Sequence, residues 1–220
     1  RCPSHPVARD LLHAFGGPIA APSANRSGFT SPTSAAHVLA ELDGRITMIL
    51  DGGDSPIGLE STVIDLSEAA TVILRPGAIT LEMLREVIAN IRAAEATVHP
   101  ESAAASPGLH SRHYAPRTPA YRFTRNQWNV AQHWARQHGP VALLAPAGAD
   151  GQTPEAAEHH LPAPHETILM PSDQIAYART LYAALRDADA RNLRAILILM
   201  PHDHRGIGAA IADRLRPATL

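Results

Sequence analysis

A chain of 220 residues has room for one large or two small domains, and a composition of 45% hydrophobic and 18% charged residues excludes wholesale disorder. A formal net charge of -2 gives no broad basic footprint for nucleic acid or an anionic membrane. The sole cysteine, Cys2, cannot form an internal disulfide, and no apolar run approaches the ~20 residues of a spanning helix, so a cytoplasmic protein is the default expectation.

Along the first region, Val7, Leu11, Leu12 and Phe15 make a helical stripe over Pro6 to Phe15, stopped by Gly16-Gly17-Pro18. A short strand is expected at Ile19 to Ala21. Ser23 to Ser31, rich in Ser, Asn and Gly, reads as a loop, and Ser31-Pro32 predicts the cap and first residue of a helix reaching about Leu42. Ile46 to Leu50, Thr62 to Leu66 and Val72 to Leu74 are candidate strands. Thr80 caps a predicted helix with Leu81, Leu84, Val87, Ile88 and Ile91 on one face, ending near Arg92.

From Ala93 to Pro119 the chain mixes Ala, Ser, Pro, His and Arg without periodicity, the composition of a linker. Strands are then expected at Tyr121 to Phe123, Val141 to Ala145, Thr167 to Met170 and Ala195 to Met200. Helices are expected at Gln127 to His138, Asp173 to Asp189 and Ile207 to Leu215. Such alternation favours a small open α/β sheet with helices on its faces.

Three short segments invite chemistry. The Ser23 to Ser31 loop lies between an expected strand and a capped helix, where donors can face phosphate or carboxylate. Gly58-Leu59-Glu60-Ser61-Thr62-Val63 puts adjacent hydroxyls at a strand start, and Arg75 in Ile73-Leu74-Arg75-Pro76-Gly77 has the guanidinium fork that pairs with phosphate. Taken singly, each is more economically a surface turn, a strand edge or an ordinary ion pair.

In order and spacing, Arg1-Cys2-Pro3-Ser4-His5-Pro6, Ser23-Ala24-Asn25-Arg26-Ser27-Gly28, Ser31-Pro32-Thr33, Gly58 to Val63 and Leu74-Arg75-Pro76-Gly77 resemble the threonylcarbamoyl-AMP synthase family with its YrdC-type domain. Ser106 to Pro116 resembles the linker of the two-domain members. Leu181-Tyr182-Ala183-Ala184-Leu185-Arg186 and Gly206 to Leu215 resemble their C-terminal domain.

The resemblance implies an α/β fold: the C-terminal part of a YrdC-type twisted-sheet domain over 1–92, a linker over 93–119 that closes over the site, and a small Rossmann-like domain over 120–220. It implies a nucleotidyltransferase that makes threonylcarbamoyl-AMP and pyrophosphate from L-threonine, bicarbonate and ATP. The product then passes to a tRNA threonylcarbamoyl transferase. By motif match Arg1, Ala21 and Ser61 face threonine, and Ser23, Asn25, Ser31, Arg75, Arg112, His113 and Tyr114 surround ATP. Mg2+ is expected with ATP, and no residue is assigned as a metal ligand, a covalent nucleophile or an acid/base group.

The family also carries an N-terminal half of the domain, with a Lys-x-Arg motif upstream of the position matching Arg1. The start at Arg1-Cys2-Pro3 therefore suggests a chain that begins inside a longer polypeptide, and little turnover is expected of it alone. Rival readings are a relative that adenylates carbamoyl phosphate, an RNA-binding module and a noncatalytic regulatory piece. His159-His160 and His202-Asp203-His204 lack the ligand set of a recognisable zinc site, and Gly206-Ile207-Gly208 is read as a turn or close packing and not as a dinucleotide fingerprint.

Overall fold

The computed structural model describes residues 1–67, 70–94, 113–148, 160–201 and 205–220. Its elements, in chain order, are α1 (Pro6–Phe15), α2 (Ala35–Leu42), β1 (Val63–Asp65), β2 (Val72–Arg75), α3 (Leu81–Arg85), β3 (Arg92–Ala93), β4 (Ala120–Phe123), α4 (Trp128–His138), β5 (Val141–Pro146), β6 (Glu166–Met170), α5 (Gln174–Ala190), β7 (Ala195–Leu199) and α6 (Ile207–Ala218).

The second unit is a parallel sheet of order β4-β7-β5-β6. Its central strands read Val-Ala-Leu-Leu-Ala and Ala-Ile-Leu-Ile-Leu, continuous apolar runs suited to burial on both faces. The period of two sorts their side chains. Ala142, Leu144, Ile196 and Ile198 pack with α5 and α6, whereas Val141, Leu143, Leu197 and Leu199 pack with Trp128, Ala131 and Ala135 of α4. The layers are thus helix, sheet, helix, as the alternation of elements and the family resemblance imply. Asp173 caps α5, its carboxylate accepting from the Ala176 N–H at 2.8 Å. Tyr177, Leu181, Leu185 and Ala188 then repeat at helical spacing on the buried side.

The first unit has a smaller sheet of order β1-β2-β3, with β1 antiparallel and β3 parallel to β2. Alternation along β2 places Ile73 and Arg75 on its buried face. Neither α1 nor α2 contains a buried residue. Phe15, Met48 and Val87 are among the large apolar side chains this unit exposes.

Leu59 joins the core made by Tyr114, Tyr177, Ala178 and Tyr182. One residue earlier, Gly58 (φ 78°) sits so close to α5 that a Cβ there would lie 2.4 Å from the Arg179 carbonyl oxygen. Glycine meets both demands, a left-handed backbone and no side chain.

Several expected elements differ. Ile19 to Ala21 and Ile46 to Leu50 form no strand; Ile46, Met48 and Leu50 are exposed, and no ladder among the described residues takes up their backbone. Helix α2 starts at Ala35, not after Ser31. The Ser31 hydroxyl is engaged by Glu60, and Ser34 is the residue whose side chain accepts from the His37 N–H. The helix begun at Thr80 stops after Arg85, and Arg92 lies in β3, where its N–H donates to the Thr71 carbonyl. Sheet pairing there overrides a helical stripe that would have continued through Val87 and Ile91. Remaining predicted elements recur with ends moved by at most three residues, and α1 has the expected bounds.

Candidate functional site

The Ser23 to Ser31 loop is shaped by its own amide and glycine. Asn25 Nδ2 donates to the Arg26 and Phe29 carbonyls at 3.0 and 2.9 Å, pulling the loop into a turn. The Asn25 Oδ1 atom is buried and has no hydrogen-bond partner among the described residues. Gly28 has φ 84°, and its carbonyl accepts from the Ala115 N–H at 3.1 Å. Phe29 bridges to Ala115, while the guanidinium groups of Arg26 and Arg117 stand 5.2 and 5.9 Å from its ring centre. These contacts lay residues 115–117 against the loop.

Tyr114 occupies the centre. It is 2% exposed and has φ 58°, a left-handed conformation uncommon for a bulky residue. Its surroundings over-determine that shape. Thr30 Oγ1 donates to its carbonyl at 3.2 Å, Tyr182 stacks on its ring at 5.7 Å, His113 meets it edge-on at 4.0 Å, and the Arg214 guanidinium lies 5.5 Å from the ring centre. The His113 N–H donates to the Pro217 carbonyl at 3.2 Å, tying the same segment to α6.

Beneath Tyr114 lies a buried charge cluster. The Glu60 carboxylate accepts from Ser31 Oγ at 2.7 Å, Tyr182 Oη at 2.9 Å and Arg214 Nε at 2.7 Å. Arg214 is 0% exposed, and it also donates to the Glu60 and Pro76 carbonyls and to Asp213. Burial pushes the Glu60 carboxyl up, but the Arg214 charge and the hydrogen bonds from Arg214 and Ser31 outweigh it. The group is held below its ordinary range. Burial, reinforced by the Glu60 charge, pushes the Tyr182 hydroxyl well above its ordinary value, so it stays a neutral donor.

Ser61 follows Glu60 on the same loop and is exposed, with its carbonyl accepting from Arg75 Nε at 3.1 Å. Gly77 packs under this loop, where a Cβ would lie 2.5 Å from the Thr62 nitrogen. Arg75 is 6% exposed and interacts with the Tyr114 side chain. Ser31, Ser61, Arg75, His113 and Tyr114 are therefore joined by direct or one-step contacts, with Asn25 in the adjoining turn. Arg1, Ala21 and Ser23 are exposed and stand outside this network, and Arg112 lies outside the described residues.

A cleft of about 540 Å³ opens between α2, residues 115–118 and α5, lined among others by Phe29, His37, Glu41, Arg117, Arg186 and Asp189. None of the described residues expected to meet substrate lines it. Arg186 closes one side by pairing with Glu41 at 2.5 Å and donating to the Thr30 and Ser31 carbonyls.

Glu60, Tyr182, Arg186 and Arg214 received no individual role from the sequence, although all four sit within the motifs that carry the family resemblance. The charge of Glu60, Arg186 and Arg214 in otherwise apolar or helical stretches was the available signal, and Tyr182 gave none. His159 and His202-Asp203-His204 lie outside the described residues, and no cluster of three or more His, Cys, Asp or Glu suited to a metal occurs among the described ones. Gly206 (φ 57°) makes the turn that starts α6, and Gly208 is buried. No helix among the described residues is long and apolar enough to cross a membrane.

Residues 1–77 match the family model described as "Telomere recombination", and residues 79–219 match the one described as "Threonylcarbamoyl-AMP synthase, C-terminal domain". The threonylcarbamoyl-AMP synthase of Pyrococcus abyssi is 36% identical over 100% of this chain and 63% of its own length. That of Bacillus subtilis is 48% identical over 54% of this chain and 34% of its own, and that of Schizosaccharomyces pombe 32% over 99% and 56%. The crystal structure of P. abyssi Sua5 complexed with L-threonine superposes with a TM-score of 0.82 at 35% identity, covering all of this chain and 63% of that one. The chain thus spans less than two thirds of the length of these relatives.

Proposed function

The chain belongs to the threonylcarbamoyl-AMP synthase family, and from that premise we propose that its protein is an L-threonylcarbamoyladenylate synthase that uses L-threonine, bicarbonate and ATP. The observation that carries this reading is the convergence of Ser31, Ser61, Arg75 and Tyr114 around one buried charge cluster at the junction of the two units. The threonine bound in the P. abyssi relative supports the amino-acid substrate.

In this reaction the threonine ammonium group and bicarbonate give a carbamate with loss of water and a proton. A carbamate oxygen then bonds to the α-phosphorus of ATP as the bond to pyrophosphate breaks. No protein nucleophile is needed. The protein's contribution is to hold the carbamate in line and to stabilise charge on the phosphate oxygens. Arg75, anchored through Nε to the Ser61 carbonyl, supplies a fixed positive charge for the nucleotide. Ser61, Ala21 and Arg1 face threonine, with the Arg1 guanidinium suited to its carboxylate. Ser23, Asn25 and Ser31 bind the nucleotide, and Arg112, His113 and Tyr114 cover it.

Magnesium would neutralise the polyphosphate when ATP is bound. The ion would arrive with the nucleotide and keep several of its waters, so no ligand is assigned to it from this chain. The product goes to a tRNA threonylcarbamoyl transferase in a cytoplasmic modification pathway.

Product analysis of the complete gene product with ATP, bicarbonate and either threonine or carbamoyl phosphate tests the reading. Threonylcarbamoyl-AMP with stoichiometric pyrophosphate is expected only with threonine. Arg75→Ala should lower kcat/KM by about 100-fold, the loss typical of one charged group aimed at a transferring phosphoryl. Adenylation of carbamoyl phosphate instead would reject the assignment.

A further inference from the structure

Two side chains of the second unit reach into the first where its expected substrate residues stand. Arg214, from α6, is wholly buried and directs four hydrogen bonds: to the Glu60 carboxylate, to the Glu60 and Pro76 carbonyls, and to Asp213. Tyr182, from α5, donates to the same Glu60 Oε2 that Arg214 Nε reaches, and stacks on Tyr114. Glu60 in turn receives Ser31 Oγ, and its neighbour Ser61 is held by Arg75. The hydrogen bonds among them are 2.6 to 3.3 Å long. The chain of contacts joins two helices of the C-terminal domain to both expected substrate loops and to the strained Tyr114 backbone.

A bare scaffold needs no such arrangement. Apolar residues of similar volume would join two domains at least as stably as a buried ion pair. A guanidinium with fixed fork geometry does what an apolar contact cannot: it sets the direction of the Glu60 carboxylate and the position of the 60–61 and 76 backbone together. We propose that Arg214 and Tyr182 are positioning residues of the synthase, acting through Glu60 to hold Ser31, Ser61 and Tyr114 where ATP and threonine bind. The C-terminal domain is then part of the active-site support and not an independent module. This inference rests on the functional reading above.

The test uses the complete gene product and the variants R214K, R214M, E60Q and Y182F, measuring kcat, KM for ATP and threonine, the thermal midpoint, and amide exchange at residues 28–33 and 58–62. E60Q and Y182F keep the shape of the cluster, so they serve even if R214M fails to fold. A larger unfolded fraction lowers kcat and leaves KM unchanged, whereas loosened substrate loops raise KM. The expected result is a rise in ATP KM of about tenfold in E60Q and a smaller rise in Y182F. Amide exchange should quicken at both loops, and R214K should recover part of what R214M loses. Wild-type KM values in E60Q and Y182F, or a fall in kcat that only follows the thermal midpoint, overturn the inference while leaving the synthase assignment intact. A wild-type protein that makes no threonylcarbamoyl-AMP removes the assignment, and the inference with it.

Discussion

Single residues at the junction carry demands that their immediate neighbours in sequence do not reveal. Gly58 combines a positive φ with a missing Cβ against the backbone of Arg179. Gly58→Ala should therefore cost more than the ~1 kcal/mol of a glycine replaced at a left-handed position alone, and we expect about 2 to 4 kcal/mol in chemical denaturation because backbone must shift. The loop's polar composition, Ser31, Ser61 and Arg75 could be singled out as candidates from the sequence. Glu60 was visible only as a letter in a motif, because its meaning depends on a guanidinium 154 positions away. Arg214 likewise reads as a polar position on a helix until α6 is docked and the side chain proves wholly buried.

Helices and strands were legible where a core-facing stripe and a cap coincide. For α5, Asp173 and the repeat Tyr177, Leu181, Leu185 and Ala188 specify both start and face. For α2 the cap was not legible locally: Ser31 lies in the junction, donating to Glu60, and the helix starts only at Ala35, with Ser34 accepting from the His37 N–H. Ser34 then carries the cap, so Ser34→Ala should destabilise α2 by about 1 kcal/mol, seen as faster amide exchange at residues 35–38 in a protein whose second-unit exchange is unchanged. Ile46 to Leu50 failed as a strand for a related reason. Its apolar run satisfies the pattern, but a strand exists only where another backbone supplies a ladder.

Across the whole molecule, the two units share a charge pair whose linkage to pH can be read from its sign. The Glu60 carboxyl is held below its ordinary value in the folded protein, with burial opposed by Arg214 and the Ser31 hydrogen bond. Its stabilising contribution is complete above the ordinary carboxylate range near 4.5 and is lost as pH falls through the lowered folded value. Unfolding midpoints should therefore fall in acid, and E60Q should flatten that part of the profile. An unchanged acid limb in E60Q would mean that the pair does not link the units energetically.

By itself the sequence determined the α/β class, the helix and strand stripes of the second unit and the family motifs, since each depends on spacing within one segment. Tertiary structure alone decided which serine caps α2, where the helix after Thr80 gives way to β3, and how Glu60, Tyr182 and Arg214 meet beneath Tyr114. Those outcomes depend on which distant groups compete for the same hydrogen bond or the same buried space, a competition that exists only once the chain is folded.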